Sequence, residues 1–223
     1  MKQLFTMTAK LLLFIPLLCC HKDALTSNTP SREYFPNTVG DSWEYDVYDS
    51  SVVRDHPNFP RGYTVKLVVT GIQKLVDGKD ATVWQYQYPW GNDTNFVRII
   101  DDSIKVFDAV YSREPRNLDF PRQMFLPPFQ VGKRWDGKLL YIDSSRVMNR
   151  SNIITPTQTF PDCFDIYHHY LGPNLEYNDH YWFKPNIGMT RISYNQYTLG
   201  FYIVVLWQLK KYSLHESFSY EQI

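Results

Sequence analysis

Cysteine is scarce in this chain, with three in 223 residues. Cys19 and Cys20 are neighbours at the end of an N-terminal apolar run, and Cys163 stands alone in the body of the sequence. With Cys19 cleaved off and Cys20 acylated, no intrachain disulfide can form, so a disulfide framework is excluded as the source of stability. Net charge is absent too: Lys and Arg number 23, Asp and Glu 23, and removal of residues 1–19 takes away only Lys2 and Lys10. A near-neutral surface argues against nucleic acid or another polyanion as partner. No Gly-x-Ser-x-Gly, P-loop, His-Glu-x-x-His or dinucleotide fingerprint occurs, which lowers the case for an enzyme. The expectation is no catalytic residue, no metal and no cofactor. Beyond the N-terminus no stretch sustains a 3.6-residue period with caps, so helix content is expected to be low.

What is present begins with an export signal. Lys2 and Lys10 supply positive charge, and Leu11 to Leu18 is an apolar run, too short to span a bilayer, where roughly 20 apolar residues are needed. The following Leu17-Leu18-Cys19-Cys20 resembles a bacterial lipobox, in which cleavage precedes a lipid-carrying Cys. Cys20 is the better lipidation site, with Leu17 three residues upstream and the small Cys19 at the cut; Cys19 is the alternative, and an ordinary secretory signal is a third reading. Residues 1–19 are then a signal peptide and 20–33, rich in Ser, Thr, Asn and Pro, a flexible tether. Lys22-Asp23 resembles the surface-export signals of lipoproteins in the Bacteroidota. The expected location is the cell envelope, lipid-anchored to the outer membrane and displayed outward, with the periplasmic face as alternative.

The most ordered feature is a repeated phrase. Pro36-Asn37-Thr38-Val39-Gly40-Asp41-Ser42-Trp43-Glu44 returns as Pro128-Phe129-Gln130-Val131-Gly132-Lys133-Arg134-Trp135-Asp136, displaced by 92 residues. Pro36, Gly40 and Trp43, like Pro128, Gly132 and Trp135, are structural types: Pro and Gly shape a turn and a large ring enters a strand. From Trp43 to Tyr48, Tyr63 to Val76 and Ala81 to Tyr88 the apolar positions alternate with period two, and Asp77-Gly78 is a hairpin signal. Phe96 to Ile100 and Ile104 to Val110 complete five strands. A Pro-rich connection covers Tyr111 to Pro128. Further strands read at Lys138 to Ile142, Arg146 to Ile154, Asp162 to Tyr170, Glu176 to Phe183, Met189 to Tyr194 and Phe201 to Lys211. The expected fold is all-β: a single domain over 34–212, with halves 34–110 and 126–212 and a polar tail 213–223. Its antiparallel meander is expected to form a strongly curved sheet or half-barrel, then a closed barrel in order of preference; a sandwich stays open.

Tyr34-Phe35-Pro36 followed by Val39-Gly40-Asp41-Ser42-Trp43-Glu44-Tyr45 resembles the opening of a group of exported and lipid-anchored bacterial proteins. A mid-chain Cys strand, here Phe160 to Ile166, and a late Trp-x-x-Pro-x-x-Gly turn, here Trp182 to Gly188, are similar to that group as well. The resemblance implies the fold and export and brings no agreed activity. Lipocalins open with Gly-x-Trp, whereas Gly40 and Trp43 are spaced Gly-x-x-Trp, which would turn the ring to the other face of its strand.

Chemistry-bearing residues are few. His168-His169 with Asp165 and Asp179-His180 is the best metal candidate, yet adjacent histidines on a strand point to opposite faces, and Asp165 shares a face with His169. Asp101-Asp102 sits at a turn, where Asp bonds its own backbone. Cys163 reads as a small buried hydrophobe. Aromatics make up 17% of the chain, and Trp84, Tyr86, Tyr88 and Trp90 form the densest row, ending at a turn where rings can face a ligand. These features lead to an expected non-catalytic binding or interaction module, taking a glycan or a protein. A carrier of a small apolar ligand or lipid in a half-barrel is the alternative, and the membrane is engaged only through the N-terminal lipid.

Overall fold

The computed structural model describes residues 31–50, 62–100, 102–109, 121–136, 142–172, 175–198 and 201–215. The signal, Cys19, Cys20, most of the tether, Asp101, residues 110–120, 137–141 and 216–223 lie outside them. A helical turn, α1 (Ser31–Tyr34), precedes β1 (Ser42–Asp49), β2 (Gly62–Lys74), β3 (Asp80–Tyr88), β4 (Gly91–Ile100), β5 (Ser103–Asp108) and β6 (Gln123–Phe125). The second series is β7 (Arg134–Asp136), β8 (Ile142–Ile154), β9 (Thr159–Gly172), β10 (Leu175–Lys184), β11 (Gly188–Thr198) and β12 (Phe201–Ser213).

All twelve strands belong to one sheet in the order β6-β5-β4-β3-β2-β1-β12-β11-β10-β9-β8-β7. Every sequential neighbour pairs antiparallel except β6 with β7, and β1 pairs with β12. The path is thus an up-and-down meander bent round until its first strand meets its last, left open at one seam. Contacts across the interior show how far it bends: Phe125 on β6 packs against Tyr181 and Phe183 on β10. At the seam the Trp135 indole N–H donates to the Met124 carbonyl at 3.1 Å, and across the interior Gln123 on β6 donates to the Tyr181 hydroxyl on β10. The fold is therefore all-β, a single strongly curved sheet that does not close into a complete ladder.

The alternation read from the sequence sets which side chains face inward. Trp43, Tyr45 and Val47 on β1, and Val65, Leu67 and Val69 on β2, are buried in one continuous core. The chain before β1 completes it. Phe35 enters the interior and stacks on Trp84 with ring centroids 4.6 Å apart, while Tyr34 packs edge-on against Phe129 and Phe164. The domain was expected to begin at Tyr34, and Tyr34 and Phe35 form a plug in one end of the curved sheet. The burial of two aromatic rings makes that placement favourable.

The two corners of the repeated phrase share one hydrogen-bond pattern. At the first, Asp41 N–H donates to Thr38 O at 2.9 Å and Gly40 N–H to Val69 O at 2.8 Å, and Val69 N–H returns to Asp41 O. At the second, Lys133 N–H donates to Gln130 O and Gly132 N–H to Val147 O, both at 2.9 Å, and Val147 N–H returns to Lys133 O. Gly40 has φ +101° and Gly132 φ +87°, backbone conformations that a Cβ disfavours. Trp43 then donates to Ile187 O, in the turn between β10 and β11, at 2.7 Å, so each corner leads a tryptophan to a distant backbone carbonyl.

Three departures from the sequence reading have local causes. The stretch expected as a connection, 111–128, contains β6, only three residues long and too short to show a period. The strand expected from Arg146 begins at Ile142 as part of β8, while residues 138–141 of the strand expected before it lie outside the described residues; the register of β8 with β9 shifts at three places, and such bulges break the alternation. The tail expected from Ser213 begins with Leu214 and His215 folded back on the first corner, where His215 N–H donates to Asp41 Oδ1 at 2.7 Å.

Candidate ligand-binding cleft

Along the curved sheet the inner face changes character from one end to the other. Around the plug it is lined by Trp43, Trp84, Phe125, Phe129, Phe164 and Phe183. Towards the far end the inward positions become Asp49, Tyr86, Tyr88, Tyr170, Asp179, Tyr181 and Tyr194, placed by the ladders that pair Tyr86 with Asp93 and Asp179 with Tyr194.

At that far end a cleft of about 520 Å³ opens between β1–β4 and β11–β12. Its walls are Tyr63, Tyr88, Trp90, Tyr194 and Trp207, with Asp49, Asn92 and Asp93 supplying polar atoms. Trp90 is 47% exposed. Its ring lies nearly parallel to Tyr88, 18° between planes at 5.4 Å, and meets Tyr63 edge-on at 4.8 Å. Trp207 stands perpendicular to Tyr88 at 6.2 Å. Tyr63 donates its hydroxyl to Asp49 Oδ2 at 3.2 Å; burial, then the Asp49 carboxylate, push that phenol well above its usual range. Burial raises Tyr88 in the same way, so both hydroxyls keep their protons and remain donors at neutral pH.

Of the row Trp84, Tyr86, Tyr88 and Trp90, the structure separates the members. Trp84 is 2% exposed, sandwiched by Phe35 and Trp43 and anchored by an indole bond to Asn37 Oδ1 at 2.6 Å. It belongs to the core and does not line the cleft, because it sits at the plugged end of its strand. Tyr86, pushed up to about 12 by burial, lies between. Tyr88 and Trp90 line the cleft. Asp49, Tyr63, Asp93, Tyr194 and Trp207 join it from strands far apart in sequence, and only the register of the sheet brings them together.

Deeper along the same face lies a polar group. Tyr181 donates to Asp179 Oδ2 at 3.3 Å, and burial raises the Asp179 carboxyl to about 7 against the opposing hydrogen bonds of Tyr181 and Tyr170. Its register partner His168 is fully buried among Phe125, Trp135 and Tyr181, and burial lowers the imidazole to about 3. Neither ring nitrogen of His168 has a hydrogen-bond partner among the described residues.

The remaining candidates are placed apart. His180 and Asp165 pair at 2.8 Å on the outer face, His169 approaches Glu176 at 3.5 Å, and His168 points inward. Among the described residues no group of three or more His, Cys, Asp or Glu side chains is arranged to hold a metal ion. Cys163 is buried beside Thr190, and burial pushes its thiol up, away from the reactive thiolate. Asp102 is exposed at its turn. Among the described residues no helix is long and apolar enough to cross a membrane. A larger groove of about 930 Å³ opens at the plugged end, where Ile72, Arg98 and His215 are among its walls and, among the described residues, no Trp, Tyr or Phe is.

No family model matches the chain, and no curated protein matches its sequence. Two crystal structures are similar in chain path. One is of a protein from Parabacteroides distasonis, described as a lipoprotein, with TM-score 0.47 and 15% identity over 81% of this chain and 98% of the other. The second is of a protein from Bacteroides fragilis, described as exported and as having a YmcC-like fold, with TM-score 0.45, 15% identity and the same shares of each chain.

Proposed function

We propose that this is a lipid-anchored envelope protein that binds a glycan, without chemical turnover, in the cleft walled by Tyr63, Tyr88, Trp90 and Trp207. The observation that carries this reading is the pair of nearly parallel rings, Tyr88 and Trp90, at an open mouth beside carboxylate and amide groups. Sugar rings present a C–H face that packs on aromatic planes and hydroxyls that bond to Asp, Asn and Tyr. The carrier reading is less favoured, since the plug and its aromatic contacts fill the opposite end of the interior.

The test is titration of the detergent-solubilised full chain with a panel of oligosaccharides, followed by tryptophan fluorescence and calorimetry. Saturable binding that Trp90→Ala weakens at least about tenfold, with the oligosaccharide recovered intact, is the expected result. Release of new reducing ends would overturn the non-enzymatic reading, and silence across the panel would overturn the glycan reading. Anchoring through Cys20, with Cys19 as alternative, is tested separately: Cys20→Ala is expected to move the protein out of the membrane fraction.

A further inference from the structure

We infer that the plugged end is a membrane-facing surface, whose exposed valines and isoleucines enter the headgroup boundary of the bilayer that holds the anchor; this rests on the reading above that the chain is lipid-anchored. Among the described residues the exposed Val and Ile side chains are Val39, Ile72, Val76, Ile100, Val131 and Ile154. All six sit at the plugged ends of their strands: in the two corners, in the β2–β3 hairpin, and where β4 turns into β5 and β8 into β9. The exposed aromatics divide the other way. Tyr48, Trp90, Tyr197 and Tyr202 lie towards the mouth, and Tyr212, in register with Trp43, lies at the plugged end.

Single apolar side chains on a surface need no partner, but a set of one kind gathered at one end marks a surface to be covered. Val39, Ile72 and Ile100 share the walls of the groove of about 930 Å³, and Ile72 is 65% exposed. The strong charges beside them are paired within the protein: Arg98 reaches both carboxylate oxygens of Asp77 at 2.5 and 2.7 Å, and Lys74 meets Asp80 at 2.9 Å. Lys79 and Glu33, also on the walls, have stems long enough to keep their charges at headgroup level. The place where the tether arrives selects the bilayer as what covers this end. Ser31 is 11 residues after Cys20, and a Ser-rich chain of that length averages about 17–20 Å end to end. It joins the domain at the same groove, where Glu33 and Pro36 are wall residues and the Asn186 N–H holds Glu33 O. The mouth lies at the other end of strands such as β1, 8 residues long and so about 26 Å. Contact at the plugged end therefore turns the aromatic cleft away from the bilayer.

The test uses the lipidated full chain in phosphatidylcholine vesicles, carrying Ile72→Cys or Tyr202→Cys labelled with a bimane probe. Cys163 is buried and the anchor cysteine is acylated, so the introduced thiol takes the label. Lipid bearing a nitroxide on the acyl chain near the headgroup is expected to quench the probe at Ile72→Cys at least about threefold more than the probe at Tyr202→Cys, since apolar side chains at a membrane interface sit about 5–10 Å deep. Aqueous iodide is expected to give the reverse order. Equal, weak quenching by the lipid at both positions would overturn the membrane-facing surface and leave the anchor standing. A probe at Ile72→Cys shielded from lipid and iodide alike would assign this end to another occupant, the residues after His215 or a second copy of the chain, and would overturn the inference as well. Acylation is read separately by mass spectrometry. Absence of acyl chains on Cys20 and Cys19 alike would overturn the anchored reading and this inference with it.

Discussion

The same strands build two unlike ends. β1 carries Trp43 at the plugged end and Asp49 at the mouth, β3 carries Trp84 and then Tyr88, β9 Phe164 and then Tyr170, and β10 Phe183 and then Asp179. At the plugged end the rings contact one another and a second layer, Tyr34 and Phe35, that the chain supplies from outside the sheet. At the mouth three of the rings are tyrosines that bring hydroxyls, carboxylates stand beside them, and Trp90 stays open. The difference shows how one alternating pattern serves two purposes. Pleating decides which face is inner, and position along the strand decides whether an inner residue stabilises the fold or remains available to a ligand.

The sharpest way to break that contrast is to remove the plug. Phe35 is almost fully buried and touches Trp84, Phe125 and Phe183. Phe35→Ala is expected to cost about 3–5 kcal/mol, the usual range for a core aromatic that leaves a cavity. Urea unfolding followed by circular dichroism measures it. A loss below about 1 kcal/mol would mean that the segment before β1 rests on the sheet without being part of its core.

The polar group behind the mouth gives the next effect, and its sign depends on pH. The Asp179 carboxyl titrates at about 7 when folded, above its ordinary 3.8. Between those two values the unfolded chain has released the proton and the folded one has kept it, so stability falls as pH rises through that window. His168 is the reverse: folded at about 3 against 6.5 unfolded, it removes stability as pH falls from 6.5 towards 3. Each slope is limited to about 1.4 kcal/mol per pH unit, and the two oppose each other where the windows overlap. Asp179→Asn is therefore expected to stabilise most near pH 7, and His168→Phe most near pH 4. Denaturant midpoints across pH 4 to 8 check both; parallel curves for wild type and either variant would show that the group is not held as described.

The corners offer a comparison of smaller size. A Cβ built on Gly40 would lie 2.8 Å from the His215 ring, whereas one on Gly132 meets nothing within 4 Å. Both substitutions carry the cost of a positive φ, about 1–2 kcal/mol. Gly40→Ala must in addition push the His215 ring aside. Gly40→Ala is thus expected to lower the thermal midpoint more than Gly132→Ala, and the gap is expected to close when His215→Ala is added to both. A gap that persisted would place the difference in the turn itself.

Local signals were legible in the sequence and distant ones were not. The period of two exposed the strands and the inner set Trp43, Tyr45 and Val47, and the repeated phrase marked both corners. Within the row from Trp84 to Trp90, however, every member has the same local pattern. Trp84 is core because Phe35 stacks on it and Asn37 binds its indole, contacts set by a segment 47 residues earlier. Likewise the sequence places His168 and His169 on opposite faces, and only the register with β10 decides that His168 is the inner one. The cleft residues Asp49, Tyr63, Asp93, Tyr194 and Trp207 sit on five strands, so no spacing along the chain announces them.

The smallest expected effect on stability tests the contrast at its other end. Trp90 keeps nearly half of its surface exposed and its described ring partners, Tyr63 and Tyr88, are themselves only partly buried. Trp90→Ala should then cost under about 1 kcal/mol, as surface changes usually do, while Trp84→Ala, six residues earlier in the chain and stacked in the core, should cost several kcal/mol. Two tryptophans of one row would differ in stability and, in the opposite sense, in ligand binding. If Trp90→Ala unfolded the domain as readily as Trp84→Ala, the mouth would be a second core and the case for a binding cleft would fall with it.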